Sequence, residues 1–531
     1  MEYLRSCAGH SIRSEANWLP VPRLSHLWLG LPVFYLLCKG LIFPLPLLDF
    51  WWHLKMGEVI FSSASIPRVD IFSFTAAGRH FIVHNWLAEI IYYLTYRVGD
   101  FPLLICLNVG LLIASLLPVY LVCLKASNKQ KIAVFAAMII VISIPCNPRP
   151  QVFSFAMFAL FLWIVLGYCR AWSDRIWLLP VLMLLWVNLH GAFVLGLVLV
   201  ALILSGEAIQ GFGFQGLSTP MPRRRLQKLS LIFLLCCAAT LINPAGPGVY
   251  SYIATVLGDP SSQRLVIEWQ APRIDTIQGL LQFYFPFLLS AAVLIGSRQR
   301  PAATDFLLFF GFAVLGLTAI RNAVWFSMIS GILIATYLPY FDYGIFARLK
   351  GLAKALRINS TPQGAMQNSK RKDFGFLNLL IAASALLIIG ILSPWVRTGL
   401  LHRSLLEATT PVGAMDYIEE NSLEGNIFHP QGYGDYLIWR LWPRQKSFFD
   451  GRVHLFGEDF VRQYRQIFRD SQWEKLLEPY NIQFLLLDKE RNSREGSRKI
   501  IESARASGRW SLRYEDDLSV LFEKVANRNS E

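Results

Sequence analysis

An acid stands at the end of the first long apolar run of this sequence, in LLDFWWHLKMGEV at residues 47–59. Asp49 precedes Trp52 and His53 by three and four residues, so a helix would place all three on one face. A carboxylate there can take the proton of an acceptor hydroxyl. It can equally cap the helix, because the helix dipole favours an anion at the N-terminus. Both interpretations predict a helix that begins next to Asp49.

Further groups of polar and aromatic residues interrupt the apolar chain. They are HNWLAE at 84–89, NPRPQVFSF at 147–155, WVNLHG at 186–191, LINPAG at 241–246, VIEWQAP at 266–272 and RNAVWF at 321–326. Each motif alone also fits an interface anchor or a turn, because Trp and Arg favour membrane interfaces and Asn, Pro and Gly favour turns. As contacts to a phosphate or a sugar, the candidates are His53, His84, Glu89, Arg149, Gln151, Asn188, His190, Glu268, Arg321 and Asn322.

The elements that must position these residues are membrane helices. The chain has 531 residues, of which 54% are apolar, and a mean hydropathy of +0.42. Such content in long runs indicates an integral membrane protein. We predict a polytopic α-helical protein with about eleven spans, at 25–48, 101–124, 132–145, 151–169, 176–190, 191–209, 229–243, 279–296, 305–320, 322–340 and 375–394. The first run lacks a small-residue cleavage site, which predicts a retained span rather than a signal peptide.

The basic residues between the spans predict the orientation. With the N-terminus inside, the inner loops carry 21 Lys and Arg and the outer loops carry 8, as the positive-inside rule demands. We therefore expect a cytoplasmic segment 1–24, a membrane domain 25–398 and an extracytoplasmic domain 399–531, in a bacterial inner membrane. The polar motifs all fall on the outer face, so we expect one site there.

The first outer loop, residues 49–100, is rich in Trp, Phe, Ile and Tyr, which argues against disorder. DFWWHLKMGEVIFSS and HNWLAEIIYYLTYRVG have apolar residues at helical spacing and predict two helices that lie in the membrane interface. Between them, IPRVDIFSFTAAGRHFIVH predicts a turn with short extended pieces.

The net charge of +14 does not indicate nucleic-acid binding. Residues 401–531 contain 19 Lys and Arg against 21 Asp and Glu, so the excess positive charge lies in the loops that set topology. The eight cysteines all lie at or before Cys237 and form no CxxC pair, which excludes a disulfide framework and a zinc ribbon.

The C-terminal part has the alternating pattern of a small α/β domain. GNIFHP, KSFFDGR, IQFLLLD and the segment WSLRYEDDLSVLFEK predict strands, and GYGDYLIWRLW, EDFVRQYRQIF and QWEKLLEPY predict helices. The glycines of QGYGDYL could approach a phosphate or a sugar, although their spacing is not that of a P-loop. Asp450 and Arg452 follow an apolar strand, where ligands often bind, and they equally fit a structural ion pair in a turn.

A base beside cationic groups at headgroup depth suits one kind of chemistry. A lipid-phosphate sugar donor keeps its tail in the bilayer and presents its phosphate and sugar at the surface. One base for the acceptor hydroxyl and one phosphate clamp would suffice, through an oxocarbenium-like transition state.

These motifs resemble the GT-C superfamily of membrane glycosyltransferases, which includes protein O-mannosyltransferases and the aminoarabinose and galacturonic acid transferases of lipid A. The resemblance implies an essential acid at the start of the first outer loop, matched by Asp49, and a polyprenyl-phosphate-sugar donor. A set of bacterial membrane proteins is also similar, with a D-x-D-x-W-W-H-like start, RPQxFSF, NLHG and FxDGR, seen here as LLDFWWH, RPQVFSF, NLHG and FFDGR. Leu47 replaces the first acid of that pattern, so if the chemistry or a metal needs two acids there, Asp70 or Glu89 would have to supply the second.

The sequence therefore predicts a GT-C-type glycosyltransferase, a hexosyl- or pentosyltransferase, that moves a sugar to a lipid, glycan or protein acceptor of the envelope. A transporter or flippase of lipid-linked sugars and an inactive assembly scaffold stay open as alternatives, although no inverted repeat or charge deep in a span favours transport. No organic cofactor is predicted, and a divalent cation is left open.

Overall fold

The structure is a computed structural model that describes residues 23–212, 221–342, 374–394, 405–489 and 497–525. The described part of the chain between residue 24 and residue 392 is a bundle of helices. The helices are α1 Leu24–Leu41, α2 Phe50–Ser63, α3 Trp86–Ser127, α4 Gln130–Ser143, α5 Gln151–Cys169, α6 Leu178–Leu189, α7 Val194–Gly211, α8 Arg223–Ala239, α9 Gly248–Gly258, α10 Pro260–Leu265, α11 Ile277–Gly296, α12 Ala303–Thr318, α13 Ala323–Tyr337 and α14 Gly375–Leu392.

Within the described residues, seven helices are long and apolar enough to cross a membrane, and four shorter helices are also apolar. The chain is therefore a multi-pass membrane protein. α8 begins with three arginines and belongs to neither of these two groups of apolar helices. The predicted span at 229–243, which overlaps α8, is therefore not among them. The number of about eleven spans stays a prediction.

The first outer loop contains the two predicted helices. α2 is the first, and the N-terminal part of α3 is the second, because α3 bends where Gly99 and Asp100 leave helical geometry and Asp100 adopts a φ of 52°. α2 packs against α3 so closely that a Cβ on Gly57 would lie 2.1 Å from the backbone oxygen of Glu89. Only glycine allows this approach, which fixes the relative position of Asp49 and Glu89.

The C-terminal domain is the predicted α/β domain. Its helices are α15 Val412–Glu420, α16 Gln431–Leu441, α17 Val453–Phe456, α18 Glu458–Ile467, α19 Trp473–Leu477 and α20 Ser497–Ser507. Its strands are β1 Asn426–Phe428, β2 Ile482–Asp488, β3 Trp510–Glu515 and β4 Ser519–Lys524, in the order β1-β2-β4-β3. β1 pairs with β2 in parallel, with Phe428 opposite Leu485, and the other pairs are antiparallel.

The prediction that KSFFDGR forms a strand is wrong. The segment is buried but joins no sheet, because its backbone pairs with the first outer loop instead. Ser447 N–H donates to Phe72 O at 2.9 Å, and Phe74 N–H donates to Ser447 O at 3.1 Å. Apolar composition predicted the burial, and only the chain's tertiary arrangement decides that its partner is a loop.

The same pairing fastens the C-terminal domain to the membrane domain. Arg79 Nη1 donates to the carbonyl oxygens of Leu455 and Phe456 at 3.0 and 2.8 Å. Phe72 and Phe81 of the loop belong to one apolar cluster with aromatic residues of the C-terminal domain. The domain thus packs directly on the loop that carries Asp49.

Candidate functional site

An inner cavity of about 330 Å³ lies under the first outer loop, at the end of the bundle where the polar motifs meet. Its walls come from α2, from the turns before α5, α7 and α13, from α9 and from the start of α17. Ten of the thirteen residues predicted for the site line it: Asp49, His53, His84, Arg149, Gln151, His190, Glu268, Arg321, Asn322 and Arg452.

Asp49 occupies the N-cap position of α2, but its side chain makes no capping hydrogen bond. Instead Asp49 Oδ1 forms an ion pair with Arg149 Nε at 2.7 Å. The other side of the same guanidinium binds Glu268, with Nη1 at 2.9 and 2.7 Å from its two carboxylate oxygens. The Asp49 side chain therefore does not cap α2 by a hydrogen bond, and its role as a base stays a prediction.

Arg149 is fixed from its backbone as well. Its carbonyl oxygen accepts a hydrogen bond from Tyr92 Oη at 2.8 Å. Burial lowers the pKa of the guanidinium, but Asp49 and Glu268 outweigh it and raise that pKa above its ordinary value. Arg149 is a permanent cation between two carboxylates and holds the Asp49 side chain in one place.

His190 has a defined tautomer. Trp186 Nε1 donates to Ser154 Oγ at 2.7 Å, and the Ser154 hydroxyl lies 2.9 Å from His190 Nδ1. Ala192 N–H also donates to Nδ1 at 3.2 Å, so Nδ1 is an acceptor and Nε2 carries the proton. His190 is therefore a hydrogen-bond donor in the cavity.

His53 and His84 are neutral in the folded protein. His53 Nδ1 bonds to Glu89 Oε1 at 2.7 Å, and Glu89 is completely buried behind it. Burial, followed by His84, Arg149 and Arg452, lowers the pKa of His53 well below its ordinary value. Burial and then His454 lower the pKa of His84 to about 4. Burial therefore favours the uncharged form of both rings.

Apart from the ion-paired Asp49 Oδ1 and Arg149 Nε, three buried polar atoms on residues that line the cavity have no partner among the described residues. They are Trp52 Nε1, His84 Nδ1 and Asn85 Oδ1. Trp52 and Asn85 are only 7% and 5% exposed. Because buried polar groups are nearly always paired, such atoms indicate the place of a polar ligand.

Arg321 lies on the far wall of the cavity. Its guanidinium stacks over the Trp269 ring at 4.5 Å from the centroid, and Nη2 donates to Gln151 Oε1 at 3.4 Å. Neither partner is an acid, so its charge is available to an anion.

Arg452 brings the C-terminal domain into the cavity wall. It binds Asp450 through Nε at 2.9 Å and Nη2 at 2.6 Å, and Asp70 of the first outer loop through Nη1 at 2.5 Å. Both acids are fully buried. Burial opposes its charge, but Asp450 and then Asp70 outweigh this and raise the pKa of Arg452. The predicted structural ion pair of Asp450 and Arg452 is present.

An outer cleft of about 680 Å³ adjoins the inner cavity between α10 and the C-terminal domain. The two spaces share Asp49, Arg149, Val266, Glu268 and Gly451. A Cβ on Gly451 would lie 3.3 Å from Asp49 Cβ, so the backbone of the C-terminal domain rests against the base. Asp49 therefore stands where the two spaces meet.

Three predicted residues lie outside the lining of the inner cavity. Asn188 is used structurally: its amide donates to Leu184 O and Ile242 O, and its oxygen accepts from Trp86 Nε1. Glu89 supports His53, and Asp450 supports Arg452. The chemical roles of all thirteen residues stay predictions.

Sequence reasoning missed other residues that line these spaces: Trp52, Asn85, Tyr252 and His454 in the inner cavity and Asp435 in the outer cleft. His454 Nε2 lies 2.8 Å from Tyr252 Oη. Asp435 accepts from Gly451 N–H at 2.8 Å, and burial, followed by Asp450, raises its pKa well above the ordinary value. Asp435 lies in QGYGDYL and His454 follows FFDGR, so the motifs were noticed and the residues within them were not.

Asp70 and Glu89, the two acids that could supply a second carboxylate if the chemistry needs one, bind Arg452 and His53. Within the described ranges, no group of three or more His, Cys, Asp or Glu is placed to hold a metal ion. The divalent cation that the sequence leaves open stays open.

No protein-family model and no curated protein matches the sequence. Among solved structures, the chain is similar to the oligosaccharyltransferase AglB from Archaeoglobus fulgidus in complex with an inhibitory peptide and a dolichol-phosphate, with a TM-score of 0.52 and 13% identity, over 87% of this chain and 69% of that chain. It is also similar to ArnT from Cupriavidus metallidurans in the apo state, with a TM-score of 0.50 and 12% identity, over 94% and 98%. At such identities the similarity establishes the fold.

Proposed function

We propose that this chain, which has the GT-C fold expected from its sequence and shared with AglB and ArnT, is a membrane glycosyltransferase. It takes a sugar from a polyprenyl-phosphate donor and transfers it to an envelope acceptor. The AglB structure contains a dolichol-phosphate and a peptide, which supports a lipid-linked donor and a separate acceptor for this fold. The site would act on the outer face of a bacterial inner membrane, opposite the basic loops.

The observation that carries the proposal is the position of Asp49. It is held by Arg149 where the inner cavity and the outer cleft meet. A transfer between two substrates needs the base at the contact between them, with each substrate in its own space. A helix cap or a lipid anchor would need neither the ion pair nor the second space.

The inner cavity suits the donor. Apolar residues of α7 and α9 line one side, where the first isoprene units would pack. Arg321, with no acidic partner in the described structure, binds the phosphate, and His190 donates from Nε2. Trp52 and Asn85 supply the unpaired donor and acceptor that hold the sugar hydroxyls.

The reaction follows from this placement. Asp49 takes the proton of an acceptor hydroxyl that enters from the outer cleft, and that oxygen bonds to the anomeric carbon. The bond between the anomeric carbon and the phosphate oxygen breaks, and its electron pair stays on the polyprenyl phosphate. Arg321 stabilises the charge that develops on this leaving group, and the oxocarbenium-like transition state needs no second acid.

Transfer of a labelled sugar tests the proposal. Purified protein is incubated with polyprenyl-phosphate sugars and envelope extract, and Asp49→Asn is compared with Glu268→Gln, which neutralises the other acid on Arg149. We expect wild-type transfer, a loss of about 10²- to 10⁴-fold in Asp49→Asn, and a much smaller loss in Glu268→Gln. Equal rates for wild type and Asp49→Asn would remove Asp49 from the mechanism.

The same assay distinguishes the two alternative functions. Movement of labelled donor across liposomes that contain no acceptor would favour a transporter or flippase. Absence of both transfer and movement, across several donors, would favour a scaffold. The identity of the transferred sugar, hexose or pentose, follows from which donor is used.

A further inference from the structure

The outer cleft has an uneven charge. Its floor is the Asp49–Arg149–Glu268 group, two acids around one cation. Its mouth is formed by Arg264, Arg465 and Arg469. The floor therefore carries a net negative charge and the mouth a positive one.

The mouth keeps its positive charge because two of its arginines have no acidic partner. Arg264 pairs with Glu458 at 2.7 Å. The side chains of Arg465 and Arg469, at the end of α18 and just beyond it, form no ion pair or hydrogen bond with any residue in the described part of the chain. Asp435, the remaining acid in the cleft, is buried deeper and held by Gly451 N–H.

The first turn of α16 borders the same cleft. Gln431 and Gly432 line it, and the space that a Cβ on Gly432 would occupy is open. The positive end of the helix dipole and the two unpaired arginines therefore act on the same volume. This turn belongs to QGYGDYL, the glycine-containing motif that the proposed reaction does not use.

We propose that the outer cleft binds an acceptor that carries a phosphate monoester next to the hydroxyl to be glycosylated. Arg465 and Arg469 hold the phosphate at the mouth, since guanidinium groups bind phosphate oxygens in pairs. The negative floor repels the phosphate and accepts the neutral hydroxyl end. The two charges thus orient the acceptor with its hydroxyl toward Asp49. The proposal rests on the proposed function for the identification of this ligand as the acceptor.

The cleft is large enough for a phosphorylated sugar, because small-molecule sites span about 300 to 1,000 Å³. A phospholipid headgroup of the surrounding bilayer offers the same phosphate chemistry. The polar floor with Asp49, Glu268 and Asp435 favours a hydroxyl-rich acceptor over a lipid headgroup.

Binding of two matched probes tests this assignment without any transfer reaction. The probes are dansyl-glucosamine 6-phosphate and dansyl-glucosamine, titrated into the full chain in phosphatidylcholine nanodiscs and followed by fluorescence anisotropy. We expect the phosphorylated probe to bind at least about tenfold more tightly. The double variant Arg465→Ala/Arg469→Ala removes this preference and leaves binding of the uncharged probe unchanged.

Arg462→Ala is the matched control. Arg462 lies on the same helix, is exposed and pairs with Asp459, but it does not line the outer cleft. We expect it to keep the preference for the phosphorylated probe. An equal loss in both variants would show a general attraction to positive charge and overturn the assignment.

A second set of nanodiscs contains phosphatidylglycerol. If that lipid displaces the phosphorylated probe from wild type and the double variant loses this competition, the arginines bind bilayer headgroups and the acceptor assignment is wrong. Failure of transfer in the earlier assay with the phosphate preference intact would contradict the proposed function alone. Transfer without any phosphate preference would contradict only this inference.

Discussion

Replacing Arg452 should destabilise the protein far more than replacing a surface arginine with the same number of partners. Arg452 is 1% exposed and binds two fully buried acids, Asp70 and Asp450. Arg452→Gln leaves two buried carboxylates against no cation. Breaking a buried ion pair by removing one partner costs about 3 to 5 kcal/mol, because the remaining charge is uncompensated.

The two acids do not lose the same share of their hydrogen bonds when Arg452 is replaced. Asp70 keeps the N–H groups of Phe72 and Ser73 and the Ser73 hydroxyl, at 3.1, 3.1 and 2.5 Å. The Asp450 carboxylate keeps the backbone N–H of residue 452. Most of the cost therefore arises at Asp450, and Asp450→Asn in the Arg452→Gln background should recover about 1 to 3 kcal/mol.

Arg440→Gln is the control. Arg440 also binds two acids, Asp416 and Glu419, each at 2.9 Å, but it is 26% exposed and they are 44% and 48% exposed. Solvent screens these pairs, so the expected loss is below about 1 kcal/mol. Pulse proteolysis of the purified protein over a urea series gives the free energy of unfolding for each variant. Equal losses in the two arginine variants, or no recovery with Asp450→Asn, would refute this account of the buried network.

Three further outcomes are expected. Gly57→Ala should destabilise the protein by roughly 2 kcal/mol in the same assay, because a methyl group would overlap the backbone of Glu89; a change below about 0.5 kcal/mol would contradict the close approach of α2 and α3. Gly451→Ala should slow transfer, because its methyl group would lie 2.8 Å from the Asp435 carboxylate and 3.3 Å from Asp49 Cβ and would displace these acids; an unchanged rate would separate the C-terminal domain from the reaction. Burial lowers the pKa of His429 from 6.5 to about 4, so its stabilising contribution, complete above pH 6.5, is lost as the pH falls toward 4. The loss is about 2 kcal/mol at pH 5, and His429→Gln should flatten the fall in unfolding free energy between pH 7 and 5 by that amount; an unchanged slope would exclude this histidine as the cause.

The periodicity of apolar residues was sufficient to predict the bundle, the two helices of the first outer loop and the α/β character of the C-terminal domain. The positive-inside pattern placed the polar motifs together, and the inner cavity contains most of their candidates. These signals are local, because burial in a membrane or a core imposes a repeat on each segment separately.

Pairing between distant segments left no such signal. Nothing in KSFFDGR indicates that its backbone partner is the first outer loop, since backbone hydrogen bonds do not depend on side-chain identity. In the sequence, Asn188 and His190 are both polar residues at the end of one helix, so they could not be told apart. In the structure, Asn188 has a structural role because it forms hydrogen bonds with Trp86 and Ile242. Asp435 was one acid among many, and its burial beside Gly451 distinguishes it.

The contact between Asp70 and Arg452 joins residues that are 382 positions apart in the chain. The two residues are therefore synthesised at different times. The ribosome delivers the first outer loop long before the segment that pairs with it, and domains fold as they emerge. Until that segment arrives, Asp70 lacks its cation, and the inner cavity lacks the wall that Gly451 and Arg452 provide. The wall of the inner cavity is therefore completed by a segment that is translated long after the loop that carries Asp49, so a chain that stops before residue 451 lacks the assembled cavity.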